Sequence, residues 1–243
     1  MNWRPYLLVL LTLGSAMTVR AAPTNDFFAT GIELSRAGEF PEAAAAFEKS
    51  AGIRPAAGTL VNLGIAEWLR GHAGAAILAW ERARWINPFD PRARADLKFA
   101  RRAAQVDEAE LKWFEIQSTW LPPDAWLWLA GASLWLAVGM MTLPQFFRRR
   151  KTGWQQVLAA AGLGIFLACL PANLGVISRT NLGFVLKNDA PLLQTPTRTG
   201  EVISTLTAGE PARRVRTRGD YYLVRTENES GWVERNAFGL VSE

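Results

Sequence analysis

Two long stretches of the chain carry no charge, and the rest is organised around them. Ala125 to Leu143 (AWLWLAGASLWLAVGMMTL) and Trp154 to Ile177 (WQQVLAAAGLGIFLACLPANLGVI) are each long enough, as helix, to cross ~30 Å of hydrocarbon. A buried helix of a water-soluble domain would show a polar face at helical period, and neither stretch has one. Two transmembrane helices are expected, over 124–147 and 154–178. Pro122-Pro123-Asp124 stops whatever precedes the first and caps its start. Trp113, Trp120, Trp126 and Trp154 lie near the ends of these runs, as interfacial aromatics do. In the second run Ala160, Gly164, Ala168 and Ala172 recur every fourth residue. Such a stripe either admits the first span at close range or faces lipid. A shorter uncharged run, Pro5 to Val19, follows Arg4, and with Val19-Arg20-Ala21 it reads as a cleaved export signal over 1–21. A retained N-terminal anchor is the alternative.

Before the spans, the pattern is helical and it repeats. Gly31, Gly38, Ala43, Phe47 and Pro55 are matched by Gly64, Gly71, Ala76, Trp80 and Pro88, each 33 residues later. Small residues let helices cross closely, the aromatic fills the space between pairs, and the proline ends the second helix. This pattern resembles tetratricopeptide repeats, which predicts a helical domain over 22–111 with repeats at 24–56 and 57–90. A fifth helix over 91–108 (PRARADLKFARRAA) has Ala93, Leu97, Ala100 and Ala104 along one side. It is expected to cap the array and to continue through DEAELKWFEIQ into an interfacial linker at 112–123. The resemblance implies a peptide groove lined by the first helix of each pair: Phe28, Ile32 and Ser35, then Val61, Asn62, Ile65 and Trp68. Repeat packing is the competing role for the same residues.

After the spans, the period changes to two. FVLK, APLLQ, EVISTL, ARRVRT, YYLVRT and GWVE are short alternating stretches separated by Gly, Pro, Asn and Asp, which predicts a small all-β domain over 184–243. RTRGDYYLV and RTENESGWV read as hairpins. Leu206-Thr207-Ala208-Gly209, Gly219-Asp220-Tyr221-Tyr222, Gly231-Trp232-Val233 and the turn at Asn236-Ala237 resemble the bacterial SH3 domain. That resemblance implies a ligand surface built on Tyr221, Tyr222 and Trp232, with one of the three rings expected to serve the core. The ligand would be a cell-wall fragment, a peptide or a protein.

Charge then fixes the topology rather than suggesting a polyanionic partner. The net charge is +5, yet residues 22–111 hold 11 basic against 12 acidic groups and residues 184–243 hold 8 against 8. The excess lies at Arg4 and Arg20 and in 112–183, chiefly Arg148, Arg149, Arg150 and Lys151 in the 148–153 loop between the spans. No domain has a basic face of its own, so no nucleic-acid partner is expected. The RRRK loop is expected in the cytoplasm by the positive-inside rule, which puts both flanking domains outside. Candidate chemistry is sparse. Cys169 is the only cysteine and lies in an apolar run, and His72 is the only histidine. Glu33, Glu39, Glu42 and Glu48 fall on exposed repeat faces. No nucleophile–base pair and no metal set is visible, so no catalysis and no cofactor are expected.

The fold class expected is a multidomain membrane protein: an all-α tetratricopeptide-type repeat, two transmembrane helices and a small all-β SH3-like barrel. This order resembles the BatE-like family, the tetratricopeptide members of the bacterial aerotolerance (Bat) operon proteins. The resemblance implies a two-span protein of the cytoplasmic membrane acting as a scaffold or adaptor in an envelope or oxidative-stress complex. Its partners would be other membrane proteins, some with von Willebrand type A domains. A cell-wall-binding sensor or anchor is the alternative function.

Overall fold

The structure, a computed structural model, describes residues 24–146 and 153–242. The signal at 1–21 and the basic residues Arg148, Arg149, Arg150 and Lys151 lie outside the described residues.

Five helices come first: α1 (Thr24–Ala37), α2 (Phe40–Ile53), α3 (Ala57–Leu69), α4 (Ala73–Ile86) and α5 (Pro91–Ala104). The first four form two hairpins with matching closures. Gly38 and Gly71 adopt φ of 81° and 82°, a left-handed conformation open to glycine without penalty. At each, the amide one residue beyond the glycine bonds back five residues, Glu39 to Leu34 and His72 to Glu67, while the glycine amide bonds back three. This Schellman closure satisfies the last carbonyls of the outgoing helix. Gly31 and Gly64 lie beneath the aromatic anchors. A Cβ at Gly31 would be 2.7 Å from the Phe47 ring, and one at Gly64 would be 2.5 Å from the Trp80 indole nitrogen. The 33-residue spacing is therefore a repeat of packing as well as of letters.

Asp90 starts α5 by accepting the amides of Arg92 and Ala93, ahead of Pro91 at the first position. Ala93, Leu97 and Ala100 are buried against the second hairpin. The helix stops at Ala104, where Gln105 turns left-handed at φ 54°, instead of running on toward the membrane. A separate short helix, α6 (Trp113–Ser118), follows an extended segment. Then come the two long apolar helices, α7 (Pro123–Phe146) and α8 (Gly153–Arg179). Each is long and apolar enough to cross a membrane, with mean window hydropathy of 1.4 and 2.0.

Of the two roles open to the small-residue stripe on α8, exposure holds for three members, and only Ala172 is packed. Ala160, Gly164 and Ala168 are exposed, and the packed positions are Ala159, Gly162, Cys169, Ala172 and Gly175. A strict four-residue repeat drifts about 40° round a helix of 3.6 residues per turn at each step. Steps alternating between three and four hold one face. Gly162 on this face admits the Ser133 carbonyl of α7, and Gly175 admits the Phe114 carbonyl of α6.

The C-terminal domain is one antiparallel sheet: β1 (Leu182–Val185), β2 (Ala190–Leu193), β3 (Val202–Leu206), β4 (Pro211–Arg218), β5 (Tyr221–Arg225), β6 (Ser230–Glu234) and β7 (Phe238–Leu240). The strand order is β3-β2-β6-β5-β4-β1-β7. Both expected hairpins are present, as β4–β5 and β5–β6, and a 3-10 turn at Arg235–Ala237 precedes β7. Only Thr180 and Asn181 separate the end of α8 from β1. The Asn181 carbonyl accepts the Arg214 amide at 2.8 Å, and Ser242 donates to the Thr180 carbonyl, so this joint is bonded to the sheet.

The helical and β domains share a core. Leu182, Phe184 and Val241 belong to the same buried cluster as Ile77, Leu78, Trp80 and Leu97. Arg82 of α4 donates both Nε and Nη2 to the Leu240 carbonyl, at 2.9 and 2.8 Å. At Gly74 the α4 backbone comes close to β1, because a Cβ there would overlap the Val185 carbonyl. Gly74→Ala should cost about 1–3 kcal/mol, the usual penalty for overpacking, and expose 105–112 to protease. Gly164→Ala, with open space around it, should melt as the parent does; equal melting of both variants would refute close docking at α4.

Candidate functional site

The short helix α6, the second apolar helix and the β domain meet around one carboxylate. Glu115 lies in the first turn of α6 and accepts the Lys112 backbone amide at 2.8 Å, which closes the start of that helix. Its side chain is 0% exposed. Arg213 of β4 grips both oxygens, Nη1 on Oε1 and Nη2 on Oε2, each at 2.8 Å. Ser178 of α8 donates to Oε1 at 2.5 Å. Burial alone would push the carboxyl up. The hydrogen bonds from Arg213, Ser178 and the Lys112 amide, together with the Arg213 charge, outweigh it and hold Glu115 below its ordinary value.

Four donors occupy the carboxylate, about as many as it can accept. It is therefore a tie between α6, α8 and β4 rather than a free acid or base. Arg179, the next residue along α8, extends the tie to the repeats. Its Nη1 donates to Ser118 Oγ at 3.2 Å and its guanidinium lies 4.8 Å from the Trp85 ring centre. The sequence reading missed this cluster, though signals for it existed. Glu115 is the only carboxylate between Glu110 and Asp124, and Arg179 is the first charge after the second apolar run.

The expected groove residues of the repeats divide into two sets. Phe28 and Ile32 pack on the small Phe47 cluster, with the two phenyl centres 5.9 Å apart. Val61 is buried and Ser35 half-buried. Trp68 stands between Trp80 and Phe99, at centroid distances of 6.2 and 5.4 Å, so its ring joins the second hairpin to α5. Asn62, Ile65 and Leu69 are three or four residues apart on α3. Ile65 and Leu69 are exposed and Asn62 is half-buried, so Asn62 and Ile65 are the accessible part of the expected groove and Leu69 lies beside them.

In the β domain, Tyr221 and Tyr222 are both buried. Arg235 donates Nε to the Tyr222 hydroxyl at 3.1 Å, and the guanidinium groups of Arg214 and Arg235 lie 5.7 and 5.1 Å from the ring centre. Phe238 meets the ring edge-on. Trp232, paired with Leu193 and Leu223 across the sheet, alone keeps a half-exposed ring. Successive residues of β5 point to opposite faces of the sheet, so the two tyrosines are buried on different sides of it. Among the described residues no three His, Cys, Asp or Glu side chains converge as a metal site.

Residues 187–237 match the bacterial SH3 domain family, a region that runs from β2 to the 3-10 turn and covers well under half the chain. β1 and β7, which dock on α4, lie outside the match. No curated protein and no solved structure matches the chain.

Proposed function

We propose that this chain is a non-catalytic membrane adaptor: a tetratricopeptide-type array and an SH3-type domain displayed together on the extracytoplasmic side of the cytoplasmic membrane. The observation that carries this reading is the shared core between α4 and the β1–β7 pair. Two binding-type folds held as one body offer one composite surface, with Asn62 and Ile65 on the repeats and Trp232 on the β domain as candidate contacts. A partner that engages both gains an effective concentration of order mM without further contacts.

The orientation rests on charge and on helix ends. The start of α7 and the end of α8 meet on the same side, through α6 and Arg179. The Arg148–Lys151 loop belongs to the opposite side, which the positive-inside rule assigns to the cytoplasm. Protease added to intact spheroplasts should digest residues 22–120 and 184–243 and spare the loop; protection of the β domain would overturn the orientation. Changing all four basic residues to Gln should weaken the orientation of the second span.

In this reading the partners are exported parts of other membrane proteins, as in a Bat-type envelope complex with von Willebrand A-type members. Crosslinking in native membranes followed by purification should recover such proteins. A second reading, attachment to the cell wall, draws on the bacterial SH3 match. Sedimentation of the full chain with purified peptidoglycan would favour it. Turnover of a substrate by the purified, partner-free protein would refute both.

A further inference from the structure

A second feature of the membrane-proximal end is a cavity of about 410 Å³ lined by Arg84, Phe89, Arg94, Thr119, Trp120 and Arg179. It lies between the α4–α5 connection and the α6–α7 turn. Three guanidinium groups border it and no carboxylate does. Arg84 has carboxylates at 3.4 and 3.5 Å, in Glu81 and Glu108. Arg94 and Arg179 have none within salt-bridge distance among the described residues, and Arg94 makes one hydrogen bond, from Nη2 to the Pro88 carbonyl.

Arg179 is the telling residue. It is 8% exposed, and its Nε–H is buried without an acceptor. Few native structures leave a buried donor of this kind empty, and a bound anion is one of the standard acceptors. The surroundings say which anion. Arg179 ends α8 and Trp120 precedes α7, so the cavity opens at the level where both apolar helices leave the hydrocarbon. Trp120 and Phe89 are each more than 60% exposed at its rim, apolar groups suited to the headgroup region. We propose that this cavity holds the phosphate of an anionic membrane lipid, bound by Arg84, Arg94 and Arg179, with its acyl chains running along α7 and α8. The proposal rests on the membrane reading above.

The test uses the full chain in nanodiscs of equal parts phosphatidylglycerol and phosphatidylcholine, with retained lipid counted by native mass spectrometry. Wild type should keep phosphatidylglycerol in preference. Arg94→Gln, on an exposed side chain, should lower that preference about fivefold, the factor expected for one basic residue at an anionic surface. Arg179→Gln should lower it at least as far, if the variant folds. Arg92→Gln, on the same helix but outside the cavity, should leave it unchanged. Equal retention of both lipids by inserted wild type, or no effect of Arg94→Gln, would overturn the site alone. Displacement of the lipid by millimolar inorganic phosphate would make the ligand a free anion and overturn the lipid source. A chain that fails to insert would overturn the membrane reading and the lipid site with it.

Discussion

Trp80→Ala should lower the unfolding free energy of the full chain by about 3–5 kcal/mol, the range for truncating a buried aromatic. Trp80 is 2% exposed, lies against Gly64, and donates its indole N–H to the Val61 carbonyl at 3.2 Å. It also belongs to the cluster that includes Leu182 and Phe184 of the β domain. Its loss should therefore loosen both folds in one transition. Phe47→Ala removes the equivalent anchor of the first hairpin, which packs in a separate small cluster with Ala43, Ala44 and Ala66. The local cost should be similar, but the melting should stay within α1 and α2, as nearest-neighbour coupling in repeat arrays requires. Circular dichroism for the helices and protease sensitivity for the β domain would separate the two. A Trp80→Ala protein with the parental melting curve would remove the residue from the shared core.

The second large effect is expected at the buried tie. Glu115→Ala leaves the Arg213 fork and the Ser178 hydroxyl facing an empty site, and breaking a buried ion pair from one side costs about 3–5 kcal/mol. The pH dependence follows from the lowered carboxyl. Its contribution is fully present above the ordinary value of 4.5 and is lost as pH falls through the lower value of the folded state. Acid below 4.5 should therefore release β4 from α6 and α8, seen as cleavage in 105–112. Glu115→Gln should flatten this response. If it left the acid-induced cleavage intact, the tie would not be the acid-sensitive element.

The repeats were legible because their determinants are local. A left-handed glycine, an alanine at the crossing and an aromatic anchor recur at fixed spacing, so the sequence alone places Gly31 and Gly64. The strands were legible for the same reason, except β7. Its residues, Phe238–Leu240, are too few to show an alternation, and they pair with β1 across almost the whole domain. The joint between domains was hidden because it is long-range. One clue was available. In α4 (AGAAILAWERARWI) apolar residues fall on more than one face, which marks a helix covered on two sides. Tyr222 looked like a ligand platform because a sequence cannot place the Arg214 and Arg235 guanidinium groups 5.7 and 5.1 Å from its ring centre. The stripe on α8 left two roles open for a geometric reason, since spacing by four looks regular in letters while winding round the helix.

The joint at Thr180 and Asn181 also has a mechanical meaning. Two residues drawn out fully span about 7 Å, so the β domain has almost no slack on its span. A load applied to the domain would reach α8 as a pull along the helix, where a long tether would have absorbed it. In the proposed orientation, gripping a fixed object outside the cell would hold the gap between that object and the bilayer nearly constant, and any widening of the gap would register as tension in the second span.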